Sequence, residues 1–524
     1  MSFAVTNQNT GNFITALSGI YGIATQFSGG NGLLYYSIDY GSGFSTWTLS
    51  TTGSVPNVTF SSISLSGQNG VAAGIDNSSS LPSPVCRVYF TGDGGSSWTP
   101  STGLPSLFST SSVLVSIVGS NALLGINRLM AAQAHIYYSN NGGSTWISGP
   151  SLATNTYVDA VAVSSSSMIT IIRDSAYTYI NNSTDNGSTF NFAFSVIGLA
   201  NPSLSSLGAN SVLCGQIGGN GYIVYSNNNG DIGSWANPIL IPPLTLTNNI
   251  TKVVSIGGSV ALIGGINGTT AFIWYSTDGG ANWTASNFVL ANASSFTGIS
   301  VSGNNGLASI NDSAGIIFDS SDQGQNWINI ASFFSNTVND VSLSGNEGVA
   351  GTSNGIYYTI SPLCYEANTL ILILENEEEV YKKVSELKVG DLVKTYKQGY
   401  KKIKLFRSFK YKPLNRNNDL NLLYKHKENG VVVTGGHSIL VDELTEQEKV
   451  NNLKHYGFNQ TIEDKKLLLA CSSDKFEKID DYREEYNLCH FSLESDNPKE
   501  HFGVYITDGI LSESCPEETL LKML

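Results

Sequence analysis

A short motif that recurs seven times constrains the fold of this chain more than any other feature. It has the form Ser/Thr-x-Asp/Asn-x-Gly-x-x-Trp/Phe, and the copies at Asp39 and Asn228 are stretched before the aromatic residue. The Asp or Asn positions are Asp39, Asp93, Asn141, Asp185, Asn228, Asp278 and Asp322. Successive positions lie from 43 (Asp185 to Asn228) to 54 (Asp39 to Asp93) residues apart. This period predicts four-stranded propeller blades rather than helical repeats.

The residue types of the motif suit the tip of a β-hairpin. A carboxylate or amide can cap N–H groups of its own turn, glycine takes a positive φ, and the aromatic ring anchors the returning strand. The Asp and Asn positions are therefore predicted to be structural. The pattern resembles the Asp-box (BNR) repeat of sialidase-like and sortilin-like propellers, over nearly all of residues 1–363.

The number of blades follows from the strands around the motifs. Three apolar, β-rich segments precede each motif, and an eighth set covers residues 338–343, 348–352 and 355–360 without a motif after it. We expect residues 2–6 to supply the missing fourth strand and so to close the ring. The sequence therefore favours eight blades over residues 1–363, with seven as the alternative.

The charge of the chain changes abruptly between Leu363 and Cys364. Residues 1–363 contain 4 basic and 13 acidic residues, whereas residues 364–524 contain the remaining 23 of 27 basic and 28 of 41 acidic residues. The net charges are −9 and −5, which sum to the −14 of the whole chain. Two domains with this boundary are predicted.

Composition also excludes several functions. A net acidic chain without a basic run has no electrostatic footprint for nucleic acid or anionic membranes. We expect no signal peptide and no transmembrane segment, because the N-terminus lacks a basic and apolar leader and no apolar run approaches about 18 residues. Six scattered cysteines without a CxxC pair favour neither a disulfide scaffold nor zinc, so neither a metal nor a cofactor is predicted.

Catalysis by the propeller is disfavoured. Sialidases bind a carboxylate with three arginines and use a Tyr/Glu pair, and this region does contain Arg87, Arg128 and Arg173. These arginines fall in consecutive blades, however, and Glu347 is the only glutamate before residue 364. We expect a display or binding module for a glycan or protein ligand.

The second region carries blocks that resemble the Hint family, the autoprocessing domains of hedgehog proteins and inteins. It opens Cys364-Tyr365-x-x-Asn368-Thr369, and Gly390-Asp391-Leu392-Val393-Lys394-Thr395 follows. Thr434-Gly435-Gly436-His437 matches the Thr-x-x-His block, and Cys489-His490-Phe491 begins the closing blocks. The resemblance covers residues 364–524 and implies an all-β Hint domain.

Self-cleavage is the chemistry that this resemblance implies. The thiol of Cys364 is placed to attack the Leu363 carbonyl through a five-membered ring, which turns the peptide bond into a thioester by an N-to-S acyl shift. By resemblance, Thr434 and His437 would act on the scissile amide. His490 or a nearby Asp are candidates for activating the thiol, without a firm assignment.

The fate of the thioester stays open. We expect no splicing, because no His-Asn precedes a nucleophile near Leu524, and the segment after Cys515 is too short for sterol recognition. Water, a thiol or an amine would then be the acyl acceptor, with the chain's own propeller as substrate. The alternative is a silent Hint fold in a structural or glycan-binding surface protein. The sequence does not determine the compartment, and display on a virion or cell surface is an analogy with viral and bacterial proteins only.

Overall fold

The chain forms two compact units built mainly from β-strands. The computed structural model describes residues 2–7, 13–38, 47–78, 81, 83–105, 109–128, 133–150, 152–240, 248–255, 259–320, 322–333, 336–345, 347–360, 364–411, 422–456, 461–479, 486–497, 500–517 and 520. One unit consists of Val5–Asp39 and Phe44–Tyr358, and the other chiefly of Thr359–Leu524. The predicted boundary after Leu363 adjoins residues 361–363, which lie outside the described residues.

Eight four-stranded sheets, numbered here as blades 1 to 8, make up the first unit. Strand β1 (Ser2–Asn7) belongs to blade 8. Blades 1 and 2 contain β2 (Ile14–Ser18), β3 (Tyr21–Ser28), β4 (Asn31–Ile38), β5 (Thr48–Pro56), β6 (Val58–Ser66), β7 (Asn69–Asp76), β8 (Val85–Thr91) and β9 (Thr99–Pro100). Blades 3 and 4 contain β10 (Thr110–Val118), β11 (Asn121–Arg128), β12 (Ala134–Ser139), β13 (Ile147–Ser148), β14 (Tyr157–Val163), β15 (Met168–Arg173), β16 (Tyr177–Ser183) and β17 (Asn191–Ile197). Blades 5 and 6 contain β18 (Ala200–Leu207), β19 (Asn210–Ile217), β20 (Asn220–Ser226), β21 (Ile239–Leu240), β22 (Asn248–Ser255), β23 (Ala261–Asn267), β24 (Thr270–Ser276) and β25 (Thr284–Leu290). Blades 7 and 8 contain β26 (Ser295–Ser302), β27 (Asn305–Asn311), β28 (Gly315–Ser320), β29 (Ile328–Phe333), β30 (Val338–Ser344), β31 (Glu347–Thr352) and β32 (Gly355–Ile360).

The last blade is completed by the first strand of the chain. Its strand order is β1-β32-β31-β30, so the two ends of the repeat region share one sheet. Blade 8 also meets blade 1, because the Leu17 N–H donates to Ser342 Oγ at 2.9 Å. The prediction of an all-β propeller with eight blades, closed by N-terminal residues, is confirmed.

Serine hydroxyls join neighbouring blades through their first strands. The N–H groups of Val115 and Ile117 in blade 3 donate to Ser62 Oγ and Ser64 Oγ in blade 2, at 3.0 and 3.1 Å. The first strand of each blade is the edge of its sheet, so its outward N–H groups would otherwise lack partners. The serine-rich composition therefore stabilises the contacts between blades as well as the surface.

The second strand of each blade forms most of the core. In β11 and β27 nearly every residue is buried on both faces of the sheet. Two neighbouring blades cover these faces, which explains why the second strands read as continuous apolar runs rather than as alternating patterns.

The second unit contains two sheets and one helix among its described residues. Its elements are β33 (Tyr365–Glu366), β34 (Leu370–Glu375), β35 (Glu378–Lys383), β36 (Leu392–Lys394), β37 (Tyr400–Tyr411), β38 (Leu423–His426), β39 (Val432–Thr434), β40 (Ser438–Val441), α1 (Glu446–Tyr456), β41 (Thr461–Ile462), β42 (Lys465–Leu469), β43 (Phe476–Lys478), β44 (Tyr486–Leu493), β45 (Gly503–Tyr505) and β46 (Leu511–Glu513), with 3₁₀ turns at Val384–Glu386, Ala470–Ser472 and Thr507–Gly509. The expected all-β character of this region is confirmed, apart from α1.

Strand order brings distant parts of this unit together. The nine-stranded sheet has the order β35-β34-β36-β37-β44-β33-β39-β38-β43, and the five-stranded sheet has the order β41-β42-β40-β46-β45. Tyr365 in β33 pairs with Cys489 in β44 on one side and with Val433 in β39 on the other. The residues just before β33, at the end of β39 and within β44 are therefore neighbours.

Candidate functional site

The Asp boxes form closed networks of hydrogen bonds within their own turns. In blade 2, Thr91 Oγ1 donates to Asp93 Oδ1 at 2.7 Å and accepts from the Gly95 N–H at 3.0 Å. The Ser97 N–H and hydroxyl donate to the two carboxylate oxygens of Asp93, at 3.0 and 2.6 Å. The same pattern recurs in four other boxes: the motif's serine hydroxyl donates to the Asp or Asn side chain and accepts from the Gly N–H, and the N–H four positions after the Asp or Asn donates to that side chain. These boxes are at Asn141, Asp185, Asp278 and Asp322.

Two of the seven predicted boxes need separate description. Among the described residues of its turn, no N–H donates to the Asn228 side chain, whose Nδ2 donates to Asp231 Oδ2 at 3.4 Å. Ser226 instead contacts Ser234 Oγ at 2.6 Å, because the stretched loop brings a second hydroxyl into the turn. Asp39 lies outside the described residues.

The arginines of the propeller lie on strands of three different blades. Arg87 is ion-paired with Asp76 at 3.1 Å, and Arg173 is ion-paired with Asp159 at 2.6 Å, each within its own blade. Arg128 ends β11 in the blade between them. This arrangement holds Arg87 and Arg173 in structural ion pairs, and it lends no support to a shared carboxylate site.

Cys364 lies fully buried at the start of β33, where the predicted nucleophile meets Thr434. Its N–H donates to Thr434 Oγ1 at 3.0 Å, and its carbonyl accepts from the Thr434 N–H at 3.0 Å. Leu423 and Leu488 pack against it in a small apolar cluster. Burial, with a smaller effect of Cys489, raises the pKa of the Cys364 thiol well above its usual value. The thiol is therefore neutral at neutral pH.

The threonine and the histidine of the Thr-x-x-His block belong to one tight turn between β39 and β40. The His437 N–H donates to the Thr434 carbonyl at 2.9 Å. The fully buried His437 ring lies 4.2 Å from the Tyr365 ring, centroid to centroid, and its Nε2 is 2.8 Å from Ser512 Oγ. The turn therefore places the imidazole close to the residue that follows Cys364.

His490 lies on the other side of the same cluster. Its ring centroid is 5.3 Å from that of His437 and 5.4 Å from that of Tyr365. Burial and the neighbouring His437 hold the pKa of His490 well below its usual value, so the ring is neutral. Among the described residues, neither ring nitrogen has a hydrogen-bond partner, and no hydrogen bond joins His490 to the Cys364 sulfur.

Two residues near this cluster were not assigned a role from the sequence. Ser512 and Glu513 lie in β46, and the Glu513 carboxylate accepts from the Ser438 N–H at 2.8 Å and lies 3.6 Å from His501. Burial acts to raise the pKa of Glu513, but the hydrogen bond from His501 and the nearby His437 hold it below its usual value. Polar residues inside an otherwise apolar closing strand, Leu511-Ser512-Glu513, are the signal that could have revealed them.

The structure leaves the predicted scissile bond undescribed on one side. Leu363, which carries the carbonyl of the predicted scissile bond, lies outside the described residues. Within the described part of the chain, no three His, Cys, Asp or Glu side chains are grouped as metal ligands. No described helix has the length and apolar character needed to cross a membrane.

Comparisons with known proteins concern the fold alone. No family model and no curated protein matches the chain. Among solved structures, YCF48 bound to D1 peptide is 15% identical with a TM-score of 0.41, and the match covers 68% of this chain and 96% of that one. The Dos1 propeller is 12% identical with a TM-score of 0.45, over 68% and 93% of the two chains. The computationally designed protein Ika8 is 10% identical with a TM-score of 0.46, over 68% and 98%. The assignment of a propeller therefore depends on the eight sheets themselves.

Proposed function

We propose that the second unit is a Hint-type domain that cleaves its own chain between Leu363 and Cys364, and that the propeller is the part released or ligated. The observation that carries the proposal is the hydrogen bond from the Cys364 N–H to Thr434 Oγ1, at 3.0 Å. That N–H belongs to the peptide bond that would break. A hydroxyl at the amide nitrogen, with an imidazole in the same turn, suits an acyl shift at this bond.

The first step exchanges a C–N bond for a C–S bond. The Cys364 sulfur attacks the Leu363 carbonyl carbon and gives up its proton, and the bond from that carbon to the Cys364 nitrogen breaks. The nitrogen takes up a proton and becomes an amine, so that no net proton is gained or lost in forming the thioester. Water, a thiol or an amine then attacks the thioester carbonyl and restores the Cys364 thiol.

Thr434 and His437 act on the leaving nitrogen in this proposal. The Thr434 hydroxyl accepts from the amide N–H and so holds the peptide plane in one orientation. His437, which is in the same turn, supplies the proton that converts the departing nitrogen into a better leaving group. His490 remains a candidate for removing the thiol proton, although its low pKa makes it a weak base.

Burial of the thiol predicts that the step is slow at neutral pH. Because the pKa of Cys364 is raised, the reactive thiolate is a small fraction of the population. At pH values below that pKa, the thiolate fraction rises about tenfold for each unit by which the pH is increased. We therefore expect cleavage to accelerate between neutral and mildly alkaline pH, and hydroxylamine to trap the thioester.

Intact mass spectrometry of the purified full chain tests the proposal. The chain is incubated with a thiol, with hydroxylamine or with neither, beside Cys364→Ala and the control Cys86→Ala, which removes a cysteine of the propeller. We expect fragments of 363 and 161 residues (524 minus 363) from the wild type and from the control, but not from Cys364→Ala. An uncleaved chain of 524 residues under every condition would favour the silent fold with a binding propeller.

A further inference from the structure

Strand β46 places a second hydroxyl against the catalytic candidate His437. Ser512 Oγ lies 2.8 Å from His437 Nε2, although the two residues are 75 positions apart in the chain. The same hydroxyl donates to the Ser438 carbonyl at 3.0 Å. All three residues are fully buried.

The two contacts of the Ser512 hydroxyl bear on which nitrogen of the His437 ring is protonated. A serine hydroxyl has one proton to donate and lone pairs to accept. Because a carbonyl oxygen can only accept, both contacts of Ser512 Oγ are hydrogen bonds only if Ser512 donates to the Ser438 carbonyl and His437 Nε2 carries the proton. The neutral imidazole is then the Nε2–H tautomer, and Nδ1 is its basic nitrogen.

We propose that Ser512 is a positioning residue that fixes His437 as the Nε2–H tautomer, so that Nδ1 is the nitrogen that first takes up a proton and then passes it to the departing nitrogen of Cys364. The second half of this inference rests on the proposed function, whereas the tautomer does not. A hydroxyl that is itself anchored on a backbone carbonyl also fixes the plane of the ring, since a single orientation satisfies both contacts.

Other groups that face His437 affect its proton affinity rather than its tautomer. Tyr365 and His490 contact the ring through their faces and edges. The Glu513 carboxylate, with His501 beyond it, interacts favourably with a positive charge on His437. Its oxygens contact the Ser438 N–H and His501, so Glu513 stabilises the protonated ring without selecting a nitrogen.

The ¹⁵N spectrum of the imidazole measures the tautomer without any cleavage. The full chain is labelled at its six histidines in the Cys364→Ala background, and the His437 signals are assigned by their loss in His437→Gln. We expect protonated Nε2 and unprotonated Nδ1. A ring protonated at Nδ1 in this chain would overturn the proposal, even if the Ser512 variants failed to fold.

Ser512→Ala and a matched control separate positioning from general stability. Ser514 lies two residues on, is also buried, and accepts from the Phe502 N–H at 2.9 Å. We expect Ser512→Ala to give a mixture of tautomers, and Ser514→Ala and the conservative Ser512→Thr to keep the Nε2–H form. An unchanged spectrum in Ser512→Ala would overturn the role of Ser512.

The cleaving chain provides the second readout. We expect Ser512→Ala to slow cleavage about tenfold and to change its pH profile, with recovery in Ser512→Thr. A mixed tautomer with unchanged cleavage would refute the role of Nδ1 in the reaction. If the tautomer behaves as expected but no chain cleaves at all, the proposed function fails while the assignment of the tautomer holds.

Discussion

The two units of this chain build their polar networks in opposite ways. In the propeller, the described Asp boxes join residues two and four positions apart, such as Ser276, Asp278 and Gly280. In the second unit, hydrogen bonds of the cluster around Cys364 join residues that are far apart in the chain. Cys364 is bonded to Thr434 across 70 positions, and Tyr365 to Glu513 across 148 positions. The propeller can therefore be predicted from short sequence motifs, whereas the cluster around Cys364 forms only when the sheets bring its residues together.

Removing residues 1–7 tests a place where the propeller also depends on a distant contact. Without β1, the edge of β32 loses its neighbour in blade 8. A six-residue strand makes about six ladder hydrogen bonds to one neighbour, and at about 0.5 kcal/mol net for each bond of an edge strand we expect a loss of about 3 kcal/mol in the free energy of unfolding of the propeller.

Tryptophan fluorescence isolates this effect, because all seven tryptophans precede residue 364. Adding a peptide of residues 1–7 to the truncated chain should restore part of the stability by strand addition. An unchanged unfolding transition in the truncated chain would show that the eighth blade does not need its N-terminal strand.

Thr434→Val tests the corresponding long-range contact in the second unit. Valine has a similar shape but cannot accept from the Cys364 N–H, so we expect cleavage to slow about a hundredfold. That loss equals about 2.7 kcal/mol in activation free energy. The rate is measured from the masses of the fragments over time.

Thr395→Val is the matched control for this substitution. Thr395 is buried in the same unit, and its hydroxyl donates to the Gly399 carbonyl and accepts from the Gln398 N–H in a separate turn. We expect its cleavage rate to stay within about twofold of the wild type. Equal losses in both variants would indicate a general weakening of the unit rather than a role for Thr434 at the amide.

The same contrast explains which features of the molecule could be predicted from its sequence. The number of blades and the closing role of residues 2–6 could be predicted, because the repeat fixes the blade length and one strand was missing at the end. The capping role of Asp93 could be inferred because its partners are adjacent in sequence. Ser512 and Glu513 were missed, since their contacts depend on the pairing of β40 with β46. The stretched box at Asn228 also departs from the motif, because its longer loop admits Ser234.

Asp278→Ala and Asn228→Ala compare a complete box with the divergent one. Asp278 accepts from the Asn282 N–H at 2.9 Å and from the hydroxyl of Ser276 at 2.8 Å, whereas the described contact of the Asn228 side chain is a long one to Asp231. We expect Asp278→Ala to lower the free energy of unfolding by about 1.5 kcal/mol and Asn228→Ala by less than about 0.5 kcal/mol. Urea unfolding followed by tryptophan fluorescence measures both. Equal losses would show that box geometry does not determine stability.

Mild acid should produce the smallest change in the stability of the propeller. Only boxes with a carboxylate should contribute to this change. Burial acts to raise the pKa of Asp278, but hydrogen bonds from Asn282 and Ser276 hold it below the ordinary value of 3.8. A folded-state pKa below the unfolded value stabilises the fold at higher pH, and this contribution is lost as the pH falls through the folded pKa. We therefore expect the stability of the propeller to decline below about pH 4.

The box at Asn141 shows that an amide can cap the turn without a group that titrates in mild acid. Its amide oxygen accepts from the Thr145 N–H at 3.0 Å, as the carboxylates do in other boxes. The variant Asp278→Asn should therefore keep most of the stability that Asp278→Ala loses, while reducing the slope of stability against pH in this range. Urea midpoints measured by tryptophan fluorescence between pH 3 and 6 provide the comparison. A slope identical to that of the wild type would mean that other carboxylates, and not this box, control the response of the propeller to acid.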